Sequence, residues 1–192
     1  MTLRFAVLFG SMRSNRAGIR AARFILEQLR QRGHEPTLVD TLECQLPLLD
    51  RMYKEYPKGE APAVMERLAT LYREVDGFVI VAGEYNHGVQ PGLKNLLDHF
   101  LEEYFWRPSA IVCYSAGVYG GVRAAMQLRM TLAELGMPSI PSLFPIGRIG
   151  QALAKDGTAQ DEALERRVGR FVDELAWYAS AFKAQRAGAT PY

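Results

Sequence analysis

The stretch Ala82-Gly83-Glu84-Tyr85-Asn86-His87-Gly88-Val89-Gln90-Pro91-Gly92-Leu93-Lys94-Asn95 decides the fold. An apolar run, Gly77 to Ala82, leads into it. A tight polar turn follows, and Pro91 opens a helical pattern predicted to run to about Glu103. The order reads as a strand, a loop and a helix N-terminus. In an open α/β sheet the carboxyl ends of the strands border the binding crevice, so such a loop sits where a ligand would. Gly83, Gly88 and Gly92 let the backbone turn sharply and approach a flat group with no Cβ in the way. Tyr85 offers an aromatic face, and Asn86 an amide that both donates and accepts. The same residues suit an ordinary strand-to-helix connection, so the other strand ends must decide.

Working outward toward the N-terminus, Leu3 to Phe9 is an apolar run that ends in Gly10-Ser11, as a strand buried on both faces would. The loop Gly10 to Gly18 leads to a helix predicted over Ala17 to Gln31, with Gly33 as its C-terminal stop. Ser11, Ser14 and Asn15 supply hydroxyl and amide groups, and Arg13 and Arg16 supply charge, just ahead of that helix. Free N–H groups and the macrodipole make this place suitable for a phosphate. The alternative is a capping loop, with Ser14 or Asn15 as the cap and solvated arginines. Glu35 to Asp40 reads as a second strand. Thr41 to Pro62 shows little regular pattern, and its Tyr53 and Tyr56 are either a ligand cover or surface aromatics. Ala63 to Val75 is helical.

Toward the C-terminus, Leu93, Leu96, Leu97, Phe100 and Leu101 form a broad apolar stripe, and Lys94 and Asp98 are spaced to pair with each other. His99 and Cys113 read as packing residues. Ser109 to Ser115 is a strand, and the loop Ser115 to Gly121 carries three glycines and Tyr119 before a helix over Val122 to Leu135. Ser139 to Ile146 is a weaker strand broken by prolines. A last amphipathic helix spans about Gln160 to Lys183, followed by a tail expected to fray. Strands and helices therefore alternate five times. That pattern implies a parallel sheet with helices on both faces, within one domain over 1–192. The expected architecture is an α/β, flavodoxin-like three-layer sandwich with a five-stranded parallel sheet in the order 2-1-3-4-5.

Composition narrows the function. The 23 basic and 21 acidic residues leave a net charge of +2, too little for general affinity toward nucleic acid and far from the acidic surface of a dedicated electron carrier. No apolar run approaches the ~20 residues of a membrane helix, and Met1 to Ala6 has no signal-peptide pattern. Two distant cysteines and three histidines give no convincing metal set and fit a reducing cytoplasm. Three motif tests then bear on the ligand. Gly83 to Gly88 has the spacing of a phosphate-binding P-loop, but Val89 stands where lysine is needed. A dinucleotide fingerprint after the first strand fails because Met12 stands where its second glycine belongs. A cysteine-phosphatase loop fails because Tyr119 and Asp50 stand where the arginine would. A phosphate site after the first strand, with glycine- and tyrosine-bearing loops after the third and fourth, suits a mononucleotide with a planar ring: FMN.

On these residues the chain resembles the NADPH-dependent FMN reductase family, which includes small azo, quinone and chromate reductases. The resemblance rests on Gly10-Ser11-Met12-Arg13 with Arg16, on Glu84-Tyr85-Asn86-His87-Gly88 with Pro91-Gly92-Leu93-Lys94-Asn95 and Asp98, and on Ser115 with Gly117 and Gly120-Gly121. It spans about Leu3 to Ile146, in order. One position departs, since the family usually has proline where this chain has Gly83. The resemblance implies that Ser11, Arg13 and Arg16, with the backbone near Ser14 and Asn15, hold the FMN phosphate. It implies that Glu84, Tyr85, Asn86 and His87 line the isoalloxazine and that Ser115 and Gly117 support its other edge. Hydride would pass from NADPH to the flavin and then to a small-molecule acceptor such as free flavin, a quinone or an azo compound, with no side chain needed as acid or base. A homodimer or homotetramer is implied, with the stripe from Leu96 to Leu101, Tyr104 and Phe105 either its interface or plain core. A flavin-binding electron carrier or redox sensor without turnover stays open.

Overall fold

Strand β1 (Arg4–Phe9) owes its place to the run Phe5 to Phe9, in which every side chain is fully buried. In a computed structural model describing residues 1–192, the chain continues through α1 (Ile19–Gln31), β2 (Glu35–Asp40), α2 (Thr41–Cys44), α3 (Ala63–Glu74), β3 (Gly77–Tyr85), β4 (Gly88–Val89), α4 (Pro91–Asp98), β5 (Ser109–Tyr114), α5 (Val122–Glu134), β6 (Ser139–Ile146), α6 (Ile149–Ala152) and α7 (Glu162–Arg186). The sheet order is β2-β1-β3-β5-β6, all parallel, with the short β4 antiparallel to the end of β3. With β4 set aside this is the predicted order 2-1-3-4-5. Because side chains alternate across a strand, Phe5, Val7 and Phe9 pack against Ile25 and Leu29 of α1 and Val172 and Leu175 of α7. Ala6 and Leu8 face Leu68 and Tyr72 of α3 and Leu93 and Leu97 of α4. The strand order reverses at β1, so the crevice opens beyond the ends of β1 and β3. No helix is long and apolar enough to cross a membrane.

Several elements differ from the sequence reading, each for a local reason. Helix α4 stops at Asp98 and not near Glu103. The chain turns there so that Phe100 and Tyr104 reach Tyr72, with ring centroids 5.0 and 5.3 Å away. His99 is buried, with Nδ1 2.7 Å from the Asn95 carbonyl. Leu96, Leu97, Phe100 and Tyr104 are therefore core, while Leu101 and Phe105 are only half-buried. The segment after β2 is not featureless. Asp40 caps α2, and the Asn95 amide clamps the chain by donating to the Pro47 carbonyl at 2.8 Å and accepting from Leu49 N–H at 2.9 Å. Tyr53 is no cover, because its hydroxyl donates to Glu66 at 2.7 Å and its ring lies 5.8 Å from Phe100. The prolines of β6 sit on an edge strand, where a missing N–H is tolerated. The C-terminal tail folds back, bringing Tyr192 to 4.9 Å from Trp106.

Candidate functional site

Strand β3 runs past the sheet edge to Tyr85 and returns through β4 as a hairpin, pairing Glu84 with Val89 and Tyr85 with Gly88. The two turn residues, Asn86 and His87, have φ of 50° and 66°. Two consecutive left-handed residues are what the twist of a two-residue hairpin demands. The glycines flanking the turn do other work. A Cβ at Gly83 would lie 2.9 Å from Gln90 Nε2 and from the Tyr114 hydroxyl, so this glycine makes room for packing beneath the hairpin. Helix α5 holds the hairpin from the side. The Glu84 carboxylate accepts from Arg123 N–H at 3.0 Å and Ala124 N–H at 3.3 Å, capping a helix whose own N-cap, Gly121, has no side chain. Gln127 donates to the His87 carbonyl at 3.1 Å.

The β1–α1 loop has an unusual property. The backbone N–H groups of residues 11–18 donate to no acceptor in the protein. Helix α1 starts late, with Gly18 as N-cap and no side-chain cap, so neither Ser14 nor Asn15 closes its end. This overturns the capping alternative and leaves eight consecutive donors available to an anion, counting residues 11 to 18. Arg13 is exposed beside them. Arg16 is not solvated, as that alternative held: its guanidinium pairs with the buried carboxylate of Asp40, donates to the Ser11 carbonyl at 3.3 Å and lies 5.3 Å above the Phe9 ring. Asp40 neutralises much of its charge, leaving Arg13 as the uncommitted cation of the loop.

These parts meet in a cavity of about 190 Å³ walled by Ser11, Arg13, Asn15, Arg16 and Gly18 on one side and by Gly83, Glu84, Tyr85, Tyr114 and Ser115 on the other. Tyr85 and Arg13 also border a second cavity of about 370 Å³, whose other walls include Met12, Cys44, Leu46, Pro91 and Leu96. The Tyr85 hydroxyl lies 3.5 Å from Ser11 Oγ, so its ring partitions the two spaces. Of the residues singled out from the sequence, Ser11, Arg13, Asn15, Arg16, Glu84, Tyr85 and Ser115 thus converge. Ser14, Asn86, His87 and Gly117 are exposed and wall neither space. Ser115 shapes its loop: its hydroxyl donates to the Gly117 carbonyl at 2.9 Å and accepts Gly120 N–H at 2.9 Å. Gly117 O also takes the Arg148 N–H at 2.8 Å.

Sequence reasoning missed three residues of this site. Gln90 is 1% exposed, accepts the Gly83 N–H at 2.7 Å and donates to the Tyr114 hydroxyl at 3.2 Å. Tyr114 ends β5, and burial pushes its phenol up to about 12, so it stays protonated. Asp40 ends β2. Position at a strand end was the available signal for Tyr114 and Asp40. Gln90 gave none beyond adjacency to Pro91.

A planar ring over the hairpin and a phosphate in the β1–α1 loop fit these walls, which supply hydroxyls, a cation and free N–H groups. The model for NADPH-dependent FMN reductases matches residues 3–151, which takes in every wall described above. The chain belongs to that family. A quinone reductase of Escherichia coli strain K12 is 32% identical over 137 residues, covering 69% of this chain and 71% of that one. An NAD(P)H-dependent FMN reductase of Schizosaccharomyces pombe is 30% identical over 185 residues, covering 89% and 90%. Among solved structures, FerB, a flavoenzyme NAD(P)H:(acceptor) oxidoreductase of Paracoccus denitrificans, superposes with a TM-score of 0.77 at 22% identity, over 94% of this chain and 98% of that one. As a member of the FMN reductase family, the chain is an oxidoreductase that takes FMN as cofactor and NAD(P)H as electron donor. These relatives favour a turning-over enzyme over a passive flavin carrier.

Proposed function

We propose that this single domain passes electrons from NADPH through bound FMN to a small planar acceptor, a quinone or a free flavin. The observation that carries the reading is the unpaired run of N–H groups at residues 11–18, in a loop whose Ser11, Arg13, Asn15, Arg16, Ala17 and Gly18 wall the same cavity as the ends of β3 and β5. Ser11, Arg13 and the N–H groups around Ser14 and Asn15 hold the phosphate. Arg16 acts one step back: paired with Asp40, it orients the loop through the Ser11 carbonyl. The hairpin carrying Glu84, Tyr85, Asn86 and His87 forms a rigid shelf for the ring, held by the Glu84 cap and the Gln127 bond. The loop from Ser115 through Gly117 borders the other edge. FMN, when bound, supplies the hydride chemistry, and the protein supplies position and exclusion of water. No side chain on these walls is required to move a proton.

Exposed apolar residues border the larger cavity, Met12 at 46% and Leu48 at 86% exposed, and Leu49, next in the chain, is 41% exposed. This patch, and not the buried stripe of α4, is the surface that supports a homodimer or homotetramer. The two unpaired cysteines accord with a reducing compartment such as the cytoplasm. The reading is tested by loading the protein with FMN and recording its visible spectrum anaerobically before and after NADPH. Prompt bleaching of bound flavin, reversed by a quinone, is expected. Bound flavin that NADPH leaves oxidised would sink the reductase reading.

A further inference from the structure

Tyr114 is the buried polar group at this site that the proposed function leaves without a task. It lies 8% exposed at the end of β5 and walls the cavity together with Ser11, Asn15, Arg16 and Gly18. Its hydroxyl is pressed against the start of α1, since a Cβ on Gly18 would overlap it. The direction of its proton follows from its neighbours. The Gly83 N–H can only donate, so the atom of Gln90 that faces it, at 2.7 Å, is the amide oxygen. The Gln90 NH₂ is then the group 3.2 Å from the Tyr114 oxygen. An amide NH₂ cannot accept, so Tyr114 is the acceptor of that bond and its own proton faces elsewhere. The Ser11 hydroxyl stands beside it as a donor, and no carbonyl or carboxylate of the protein takes the Tyr114 proton. The remaining direction is the cavity at the N-terminal end of α1.

We propose that Tyr114 donates a hydrogen bond to the phosphate of bound FMN, and that Gln90 is the positioning residue that turns its proton toward the ligand. This rests on the reading of the cavity as the FMN site. It makes the site selective for the phosphorylated flavin by a contact outside the β1–α1 loop. The phenol, which burial keeps protonated, retains that donor across the working pH range.

The test compares FMN with riboflavin, which lacks only the phosphate. Apoprotein is titrated with each by quenching of flavin fluorescence, for wild type and Tyr114→Phe, which removes the hydroxyl and keeps the ring. Loss of a hydrogen bond to a charged group is expected to weaken FMN about tenfold. Riboflavin should change less than twofold. Gln90→Met, which frees the hydroxyl to rotate, should weaken FMN selectively and by less. Equal loss of both flavins would mean that Tyr114 only supports the walls, and unchanged FMN affinity in Tyr114→Phe would overturn the proposal. A wild-type protein that binds FMN no better than riboflavin would instead overturn the phosphate reading of the cavity. Should Tyr114→Phe not fold, the FMN-to-riboflavin ratio of Gln90→Met decides.

Discussion

Restoring the proline that family resemblance leads one to expect at position 83 is a sharp test of how the hairpin is supported. In this chain Gly83 N–H donates to Gln90 Oε1 at 2.7 Å, and Gln90 is 1% exposed. Gly83→Pro removes that donor and leaves a buried amide oxygen without a partner, a cost of about 1–3 kcal/mol. It also places carbon where a Cβ would lie 2.9 Å from Gln90 Nε2 and from the Tyr114 ring and hydroxyl. Overpacking of that kind costs about 1–3 kcal/mol more. Gly83→Ala suffers only the second penalty. For a domain of this size ~1 kcal/mol lowers Tm by about 2–4 °C. Thermal unfolding of apoprotein should therefore rank wild type above Gly83→Ala above Gly83→Pro, with a first step of roughly 4–8 °C and a second of similar size. A double-mutant cycle isolates the hydrogen bond. Gln90→Met in the wild-type background orphans a buried N–H and should cost at least ~1 kcal/mol, whereas in the Gly83→Pro background no N–H remains to orphan. Strict additivity in that cycle, or a Gly83→Pro protein as stable as wild type, would refute the argument.

Three further outcomes follow from the site. Arg13→Ala should weaken FMN binding about tenfold with Tm unchanged, whereas Arg16→Ala leaves the buried Asp40 unpaired and should cost about 3–5 kcal/mol in a denaturant titration of apoprotein; the reverse ranking would mean the two arginines had been assigned the wrong tasks. Glu84→Ala removes the acceptor of two N–H groups and should destabilise α5 by about 1 kcal/mol, seen as faster amide exchange at Arg123 and Ala124 and contradicted by unchanged protection there. Burial raises the Cys44 thiol and pushes the Cys113 thiol up to about 12, so a thiol reagent at pH 8 should label Cys44 slowly, faster as pH rises, and reach Cys113 only after denaturation; two fast native thiols would contradict the packing of β5.

What was legible in the sequence was whatever depended on period and punctuation. Alternating apolar runs and amphipathic stretches gave five parallel strands, because burial on both faces leaves an uninterrupted signature in β1, β3 and β5, whereas the order 2-1-3-4-5 came from the flavodoxin-like architecture and not from the period. The Lys94–Asp98 pair was also legible, because both partners lie on one helix face, and it forms at 2.6 Å. Long-range polar pairing was not legible. Nothing local to Arg16 announces that Asp40 will neutralise it, since the two meet only when β2 lies beside β1. The expectation that glycines make the sharp turn failed for a related reason. A two-residue hairpin needs left-handed residues at its tip, and Asn86 and His87 occupy that tip, while Gly83 was required by contacts with Gln90 and Tyr114.

That displacement of roles bears on how the site works. The residues of the hairpin tip, Asn86 and His87, contribute backbone shape and are free of side-chain duties toward either cavity. The polar groups that wall the smaller cavity come from strand ends and the β1–α1 loop, where the sheet fixes them. A ring-bearing cofactor needs a flat and stiff shelf, and in the proposed site the hairpin is stiffened from behind through Glu84 and Gln127, neither of which has to touch the ring. Substitutions at the tip should therefore alter which acceptors approach more than how tightly FMN binds, whereas substitutions behind the shelf should do the opposite.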